Sequence, residues 1–205
     1  MQNSFTFTGT PETYIASHRP DVPMLIFNPA ALHQRFKLFQ TGFPGLVTYA
    51  LKANDTSEVI ENLHVAGLTT FDVASHAEIA RVRDLCPDAT LHYNNPVRSV
   101  REIQIGVQAG VASWSVDCIS ELEKLIEHGA MGEIAVRLHL PMGGSAYNFG
   151  EKFGACPDDA VTLLQRVARA GYQAAMTFHV GTQCIDHTAW DHYISACHDI
   201  AQLAG

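Results

Sequence analysis

Short runs rich in apolar and β-branched residues alternate along the chain with longer stretches whose apolar positions recur at helical spacing. Such runs are typical of buried strands, and the longer stretches are typical of amphipathic helices. The pattern predicts strands at 46–51, 68–73, 90–93, 111–116, 133–140 and 174–180. It predicts helices at 57–67, 75–85, 98–110, 120–129, 158–171 and 188–205, with Ser75 and Glu78 at the spacing of a capping box.

The alternation of strands and helices favours βαβ units and a parallel sheet. Two architectures fit it: a doubly wound open sheet and a (β/α)8 barrel. The strand runs are nearly all apolar, as expected for strands that are covered on both faces. No G-x-G-x-x-G follows the first strand, which weakens a dinucleotide-binding fold, and the absence of G-x-x-x-x-G-K-[ST] excludes a P-loop enzyme.

Polar side chains lie near the carboxyl end of each predicted strand or directly after it. In a barrel these ends lie at one face, where the βα loops form the active site. A shared site fits this distribution better than packing does, although Asp117 is also placed to cap the helix after it. The residues concerned are Lys52, Asn54, Asp72, Asn94, Asn95, Asp117, Arg137, His139 and His179.

Lys52 directly follows an apolar strand in the segment TYALKAND. Taken alone, a lysine that leaves the sheet for solvent explains this position better than a reactive one. A partly desolvated lysine can, however, act as the nucleophile in Schiff-base formation. Asp72 and Arg137 would then set the local charge, and His179 offers a flat face against which an aromatic ring could lie.

The composition narrows the class of protein. Of the 205 residues, 47% are apolar and 17% are charged, which is typical of a globular protein and not of a disordered one. The net charge of −8 does not favour nucleic acid, and no apolar run approaches the ~20 residues of a membrane helix. We expect a cytoplasmic protein with reduced thiols, since no signal-peptide pattern begins the chain and its five cysteines are widely spaced. We expect no metal site, because His187, His192 and His198 do not share a helix face.

Five segments, in order along the chain, carry a resemblance to a known family. YALKAN (49–54) resembles the lysine motif of the decarboxylases that have the alanine racemase fold and use pyridoxal phosphate (PLP). Four more resemble segments of the ornithine decarboxylase branch: FDVASHAEI (71–79), YNNPVRS (93–99), EKFGA (151–155) and FHVGTQC (178–184). Arg98 stands where that branch has a lysine, and Thr182 where it has a serine.

The resemblance implies an α/β fold, a parallel (β/α)8 barrel of the TIM type that is truncated after about six strands. Residues 26–205 would form this incomplete PLP-binding barrel, and residues 1–25 would pack with a C-terminal β-domain that is absent here. The family's Gly-rich phosphate loop and the acidic partner of its pyridine nitrogen are not in the sequence, and Gly143-Gly144 is no substitute.

The resemblance also implies a role for each site residue. Lys52 would form a Schiff base with PLP, His179 would stack on the pyridine ring, and Thr182 would help to bind the phosphate. Asp72, Glu78 and Arg137 would line the site. We expect Lys52, His179, Asp72 and Glu78 to be catalytic and Lys52, Asp72, Arg137, His179 and Thr182 to bind the cofactor.

The implied reaction is the decarboxylation of ornithine or lysine to a diamine and CO2, in a site between the two subunits of a homodimer with Lys152 near the interface. The intact protein is expected to be an enzyme. Activity of this 205-residue chain by itself is not implied. Diaminopimelate decarboxylase and a non-catalytic PLP-binding barrel protein stay open as alternatives, as does a barrel enzyme with an aldolase-type lysine. An alanine racemase is disfavoured, because Asp55 and Thr56 follow the lysine motif in place of Ala-Tyr.

Overall fold

A computed structural model of the chain describes residues 6–141 and 152–205. In these residues, six parallel strands form one sheet in sequential order, and a helix follows each strand along the chain. The strands are β1 (Tyr49–Ala50), β2 (Thr70–Val73), β3 (Thr90–Tyr93), β4 (Ser113–Val116), β5 (Glu133–Leu138) and β6 (Gln173–Phe178). The helices are α1 (Pro11–His18), α2 (Pro29–Gly42), α3 (Ser57–Val65), α4 (His76–Leu85), α5 (Val100–Gln108), α6 (Ile119–Glu127), α7 (Pro157–Arg169) and α8 (His187–Ala204), with a short 3-10 helix at Leu51–Ala53.

All six predicted strands and the six predicted helices are present, but the first strand is shorter than predicted. Only Tyr49–Ala50 pairs with β2, and the chain then turns into the 3-10 helix. The pattern missed α1 and α2, although a capping residue and then a proline open each of them, at Thr10-Pro11 and Asn28-Pro29. No side chain of α1 is buried, and the packing predicted for residues 1–25 stays a prediction. None of the helices in the described residues has both the length and the apolar character needed to cross a membrane.

The sheet has one apolar and one polar face, because successive side chains of a strand point to opposite sides. The apolar face joins the side chains of α3 to α7 in the buried core, through Phe71, Val73, Leu91, Tyr93, Trp114, Val116, Ile134, Val136 and Leu138. The opposite face of β2 to β5 carries Thr70, Asp72, Thr90, His92, Ser113, Ser115, Glu133, Ala135 and Arg137. The second face of these four strands is therefore mostly polar, although β4 is buried at every position. Their second face lines the inside of a curved sheet and not a second layer of helices.

The strand order distinguishes between the two architectures that the sequence left open. A doubly wound sheet reverses its order at a switch point, whereas this order runs from β1 to β6 without a reversal. A flat sheet of six strands would hold its two edges roughly 24 Å apart. The Lys52 charge nevertheless acts on His179, and these two residues follow the opposite edge strands β1 and β6. The sheet is therefore curved as in a (β/α) barrel.

Candidate functional site

Lys52 lies in the 3-10 helix directly after β1, at the carboxyl end of the sheet. Leu51 before it is wholly buried, whereas the Lys52 side chain is exposed. The turn that follows is held by Tyr49, whose hydroxyl donates to the carbonyl of Asn54 at 3.2 Å. This arrangement presents the Lys52 amine to the polar groups at the ends of the other strands.

Asp72 lies on β2 and faces the polar side of the sheet, where it is half-buried. Burial raises the pKa of its carboxyl group, because a charged carboxylate loses hydration there. Hydrogen bonds from Asn94 and the charges of Lys52 and His92 act in the opposite direction. Asn94 donates from its side-chain amide to Oδ1 of Asp72 at 2.9 Å.

Glu78 lies in the first turn of α4, beside the Asp72 carboxylate. Its backbone N–H donates to the Ser75 hydroxyl at 3.3 Å, so Ser75 caps the helix as predicted. The reciprocal half of the capping box was wrong, because the Glu78 carboxylate accepts from the backbone N–H of Ala74, at 2.7 Å, one residue before the cap. Burial raises the pKa of Glu78, and the Asp72 charge raises it further.

Arg137 lies near the end of β5, half-buried, with its guanidinium carbon 5.1 Å from the centre of the Phe153 ring. Burial lowers the pKa of Arg137, and the negative charges of Asp117 and Asp72 oppose this effect. The predicted interface residue, Lys152, lies on the same aromatic ring, with Nζ at 5.0 Å from its centre. The Arg137 charge is therefore held at the carboxyl end of the sheet, within reach of both carboxylates.

Asp117 binds the segment that contains Phe153 and does not cap a helix. Its carboxylate accepts from the backbone N–H of Gly154 at 3.0 Å, whereas α6 begins after Cys118 without a side-chain cap. The prediction that Asp117 caps α6 was therefore wrong. Next to Gly154, Ala155 runs parallel to the end of β5 and exchanges backbone hydrogen bonds with Arg137 and His139 at 2.8 and 2.9 Å.

His179 follows β6 and faces the same end of the sheet. Its Nδ1 accepts from the backbone N–H of Gly181 at 2.9 Å. The side chain is exposed overall, but partial desolvation of the ring lowers its pKa, and the positive charges of Arg137 and Lys52 lower it further. Both effects favour the neutral form of the imidazole, and the hydrogen bond from Gly181 holds the ring in the loop.

The structure brings together five of the six predicted site residues, as their mutual electrostatic effects show: Lys52, Asp72, Glu78, Arg137 and His179. The sixth, Thr182, is exposed in the loop between β6 and α8, three residues after His179. The segments at Glu151 and at Gly143-Gly144 lie outside the described residues. Among those that are described, no group of three or more His, Cys, Asp or Glu side chains could hold a metal ion.

Sequence reasoning missed the polar residues that lie beneath this site on the inner face of β3 and β4. His92 Nδ1 lies 2.7 Å from the hydroxyl of Ser113, and burial lowers the pKa of His92. His92 Nε2 and the Ser115 hydroxyl are buried without a hydrogen-bond partner among the described residues. The signal that could have found them is the polar residue at every second position of Thr90–Tyr93 and Ser113–Val116.

Arg98, which stands in the place of the lysine of the Asn-Pro turn, is 2% exposed and lies outside the cluster around Lys52. Its guanidinium donates to the carbonyls of Tyr93, at 3.1 Å, Asn95, at 2.7 Å, and Ser115. It also lies 5.6 Å from the centre of the Trp114 ring. Burial lowers the pKa of Arg98 to about 10. Arg98 therefore joins the carboxyl ends of β3 and β4 and supports the site from outside it.

Residues 30–204 match the sequence model of a family described as pyridoxal-dependent decarboxylase, pyridoxal binding domain. The chain belongs to this family. It is 29% identical over 184 residues to the lysine/ornithine decarboxylase of Selenomonas ruminantium, a match that covers 88% of this chain and 46% of that protein. It is 30% identical over 167 residues to the ornithine decarboxylase of Panagrellus redivivus, with 80% and 38% covered. The chain thus spans less than half the length of these two relatives.

The fold of this pyridoxal-binding domain is shared with solved decarboxylases. The arginine decarboxylase of Paramecium bursaria Chlorella virus superimposes with a TM-score of 0.85 at 20% identity, over 94% of this chain and 53% of that one. This chain thus matches about half of the solved chain. This likeness confirms the predicted barrel as the architecture of the domain.

The side chains of the domain fit the pyridoxal part of PLP. The cofactor has an aldehyde that reacts with a lysine amine and an aromatic ring on which another flat ring can stack. The exposed amine of Lys52 suits the aldehyde. The neutral ring of His179 suits the pyridine face, and Asp72 and Arg137 supply charges of both signs beside it.

Proposed function

We propose that the whole protein is a PLP-dependent decarboxylase that converts ornithine or lysine to a diamine and CO2. One observation carries the proposal. Lys52 lies at the carboxyl end of the barrel strands, where its charge acts on Asp72 and His179, and Arg137 acts on His179 at the same end. This end of a barrel is where catalytic side chains gather.

Each residue of the cluster then has a defined task. Lys52 binds the cofactor through its amine and releases it to the amine of the substrate. The neutral ring of His179 supports the pyridine face without placing a positive charge against it. When bound, PLP supplies an electron sink for the electron pair that remains after CO2 leaves. Thr182 is the proposed donor to the cofactor phosphate, through its exposed hydroxyl.

Asp72 and Arg137 set the charge of the site, and Glu78 adds a second acid. Burial raises the pKa of both Asp72 and Glu78, and each charge disfavours the other. Such a pair is suited to hold a proton at one oxygen while the other carboxylate stays charged. We propose that Asp72 faces the cofactor and that Glu78 is the group that holds the proton.

The substrate class and the assembly belong to the same proposal. The two relatives are named for ornithine and lysine, which supports a basic amino acid. We further propose a cytoplasmic homodimer with Lys152 near the interface, where its ammonium lies exposed on the Phe153 ring. Analytical ultracentrifugation of the whole protein, with Lys152→Ala beside it, measures the subunit number and the effect of this residue.

The test of the cofactor lysine is reductive trapping. The protein is mixed with PLP, its visible absorbance is recorded, and borohydride then fixes the cofactor to the lysine that holds it. We expect the absorbance band, and a mass increase on the peptide that contains Lys52. Lys52→Ala should lose both signals, whereas Lys37→Ala, which removes an exposed lysine of α2, should keep them. Equal labelling of several lysines in the folded whole protein would contradict the proposal that Lys52 holds the cofactor.

Turnover is tested on the same preparation. CO2 release from ornithine, lysine and diaminopimelate distinguishes the proposed reaction from its nearest alternative. We expect release from ornithine or lysine and its loss in Lys52→Ala. A whole protein that binds PLP through Lys52 and releases CO2 from none of these substrates would instead be a PLP-binding barrel protein without decarboxylase activity.

A further inference from the structure

The Asp72 carboxylate has a neighbour that none of the assigned tasks uses. Asn94 is the first residue after β3, and its side-chain amide donates to Asp72 Oδ1 at 2.9 Å. Its backbone N–H donates to the carbonyl of Val73, at 3.3 Å, which continues the pairing of β2 with β3 past the last ladder residue. Because this bond fixes the Asn94 backbone against β2, the amide has a set position relative to the carboxylate.

An asparagine amide cannot gain or lose a proton at ordinary pH, in contrast to Lys52, Glu78 and His92. It donates to the carboxylate at every pH, whereas the charges of those three groups depend on pH or on the cofactor. The titratable and charged groups that face Asp72 come from four elements: Lys52 after β1, Glu78 on α4, His92 on β3 and Arg137 on β5. Lys52 also loses hydrogens from its ammonium group when it condenses with a carbonyl group, so its interaction with the carboxylate is not constant.

We propose that Asn94 is a positioning residue: its side-chain amide fixes the orientation of the Asp72 carboxylate and keeps it charged beside the cofactor lysine. The inference rests on the proposed function in one respect, the role of Lys52 as the cofactor lysine. The hydrogen bond between Asn94 and Asp72 does not depend on that role. Burial of Asp72 pushes its pKa up, and the hydrogen bonds from Asn94 are the first of the effects that oppose burial. Without this amide, Asp72 retains its proton to higher pH, and its oxygens are free to turn.

The neighbouring residue supplies a matched control. Asn95 has the same side chain, but its amide donates to the carbonyl of Ala74, at 3.3 Å, and not to Asp72. Asn95→Ala therefore removes an amide of the same size from the same turn. Any effect that depends on the Asp72 carboxylate should follow Asn94 and not Asn95.

The experiment measures the titration of Asp72 directly, by carbon-13 NMR of the carboxyl carbon in protein labelled at aspartate, without PLP. Asp72→Asn assigns the signal. We expect the pKa of Asp72 to rise in Asn94→Ala. It should rise further in Asn94→Asp, an isosteric change that replaces the donor with a second carboxylate. Asn95→Ala should leave the pKa unchanged.

PLP binding, followed by its visible absorbance, provides the second readout. We expect Asn94→Ala to weaken binding by about 3- to 10-fold, since a hydrogen bond to a charged group is lost from the site. An unchanged Asp72 titration in both folded Asn94 variants would overturn the inference, whatever PLP does. Absence of PLP binding by the whole wild-type protein would instead overturn the proposed function, and the titration would still decide the role of Asn94.

Discussion

At the scale of single residues, the Asp72 carboxylate shows how a partly buried charge opposes stability in this domain. Its half-buried position raises its pKa, so the folded chain binds the carboxyl proton more tightly than the unfolded chain does. Stability therefore falls as the pH rises from the usual aspartate pKa through the raised one, and the loss persists at neutral pH. A charge is kept where it weakens the fold, which is typical of a functional site.

Asp72→Asn should therefore stabilise the chain while it weakens PLP binding. The amide keeps the hydrogen bond from Asn94 but needs no hydration of a charge, so we expect the Tm at pH 7 to rise by about 2–4 °C. Below about pH 4 the gain should vanish, because the wild-type carboxyl is then protonated in both states. Thermal unfolding of both proteins across this pH range measures the difference. Asp88→Asn, at an exposed site, should leave the Tm unchanged; a wild-type chain that is more stable than Asp72→Asn at pH 7 would contradict the assignment.

How much of the site the sequence could predict is also decided residue by residue. Lys52, Asp72, Arg137 and His179 were singled out because each lies near the carboxyl end of a predicted strand, which is a local signal, and the structure brings them together. The bond between Asn94 and Asp72 could not be found in this way. It joins residues that are 22 positions apart, and it depends on the register between β2 and β3, which no single segment contains.

At the scale of elements, the segment Phe153–Ala155 lies beside the end of β5, where Ala155 forms a parallel bridge with Leu138. Gly154 lets this segment approach β5 closely. Its φ is +108°, and a Cβ added to it would lie only 2.7 Å from the Cβ of His139. Here a side chain is excluded by both the backbone angle and the contact. The segment in turn places Phe153 on the Arg137 guanidinium.

Gly154→Ala should destabilise the chain and disturb the site at the same time. We expect a loss of about 2–4 kcal/mol in the free energy of unfolding, from backbone strain and the forced contact. Gly171→Ala is the matched control. Its φ is +85°, but a Cβ there meets nothing within 4 Å, so only the strain of about 1 kcal/mol should be seen. Urea unfolding measures both variants, and equal losses would show that the contact with His139 is unimportant.

Element boundaries were harder to predict than element types. The apolar run 46–51 continues past the end of β1, because Leu51 is buried in the core from the 3-10 helix and not from a strand. Hydrophobicity alone cannot separate these two ways of burying a side chain. The helices α1 and α2 were missed because they have almost no buried face, and an apolar pattern detects only helices that pack.

At the scale of the whole molecule, the six strands of the described chain leave two edges. β1 and β6 each pair with one neighbour, and the first residues of β6 are exposed. β4, at the centre, is buried at every position. The alternation of strands and helices predicted a parallel sheet, and the family resemblance selected the barrel, which the sequential strand order confirms. The polar inner face was missed because a strand as short as Ser113–Val116 shows only two polar positions, which is a weak signal of alternation.

Hydrogen exchange should be slower in the central strand β4 than in the edge strand β6. We expect the backbone amides of Ser113–Val116 to exchange at least about tenfold more slowly than those of Gln173–Phe178, since edge strands open without breaking the core. Mass spectrometry of peptides from the exchanged chain measures both segments at once. If β6 were as well protected as β4, its edge would have to be covered, and the protection should then fall on dilution of the protein.

The curvature that brings Lys52 close to His179 has a thermodynamic consequence. Lys52 follows the first strand of the sheet and His179 follows the last. A molecule that binds both residues therefore links the two edge strands. Opening either edge would release it. The work needed to open the barrel would then grow with the concentration of that molecule, by about 2.7 kcal/mol when it is present at a hundred times its Kd. Bound PLP would thus stabilise the folded domain as well as take part in the reaction.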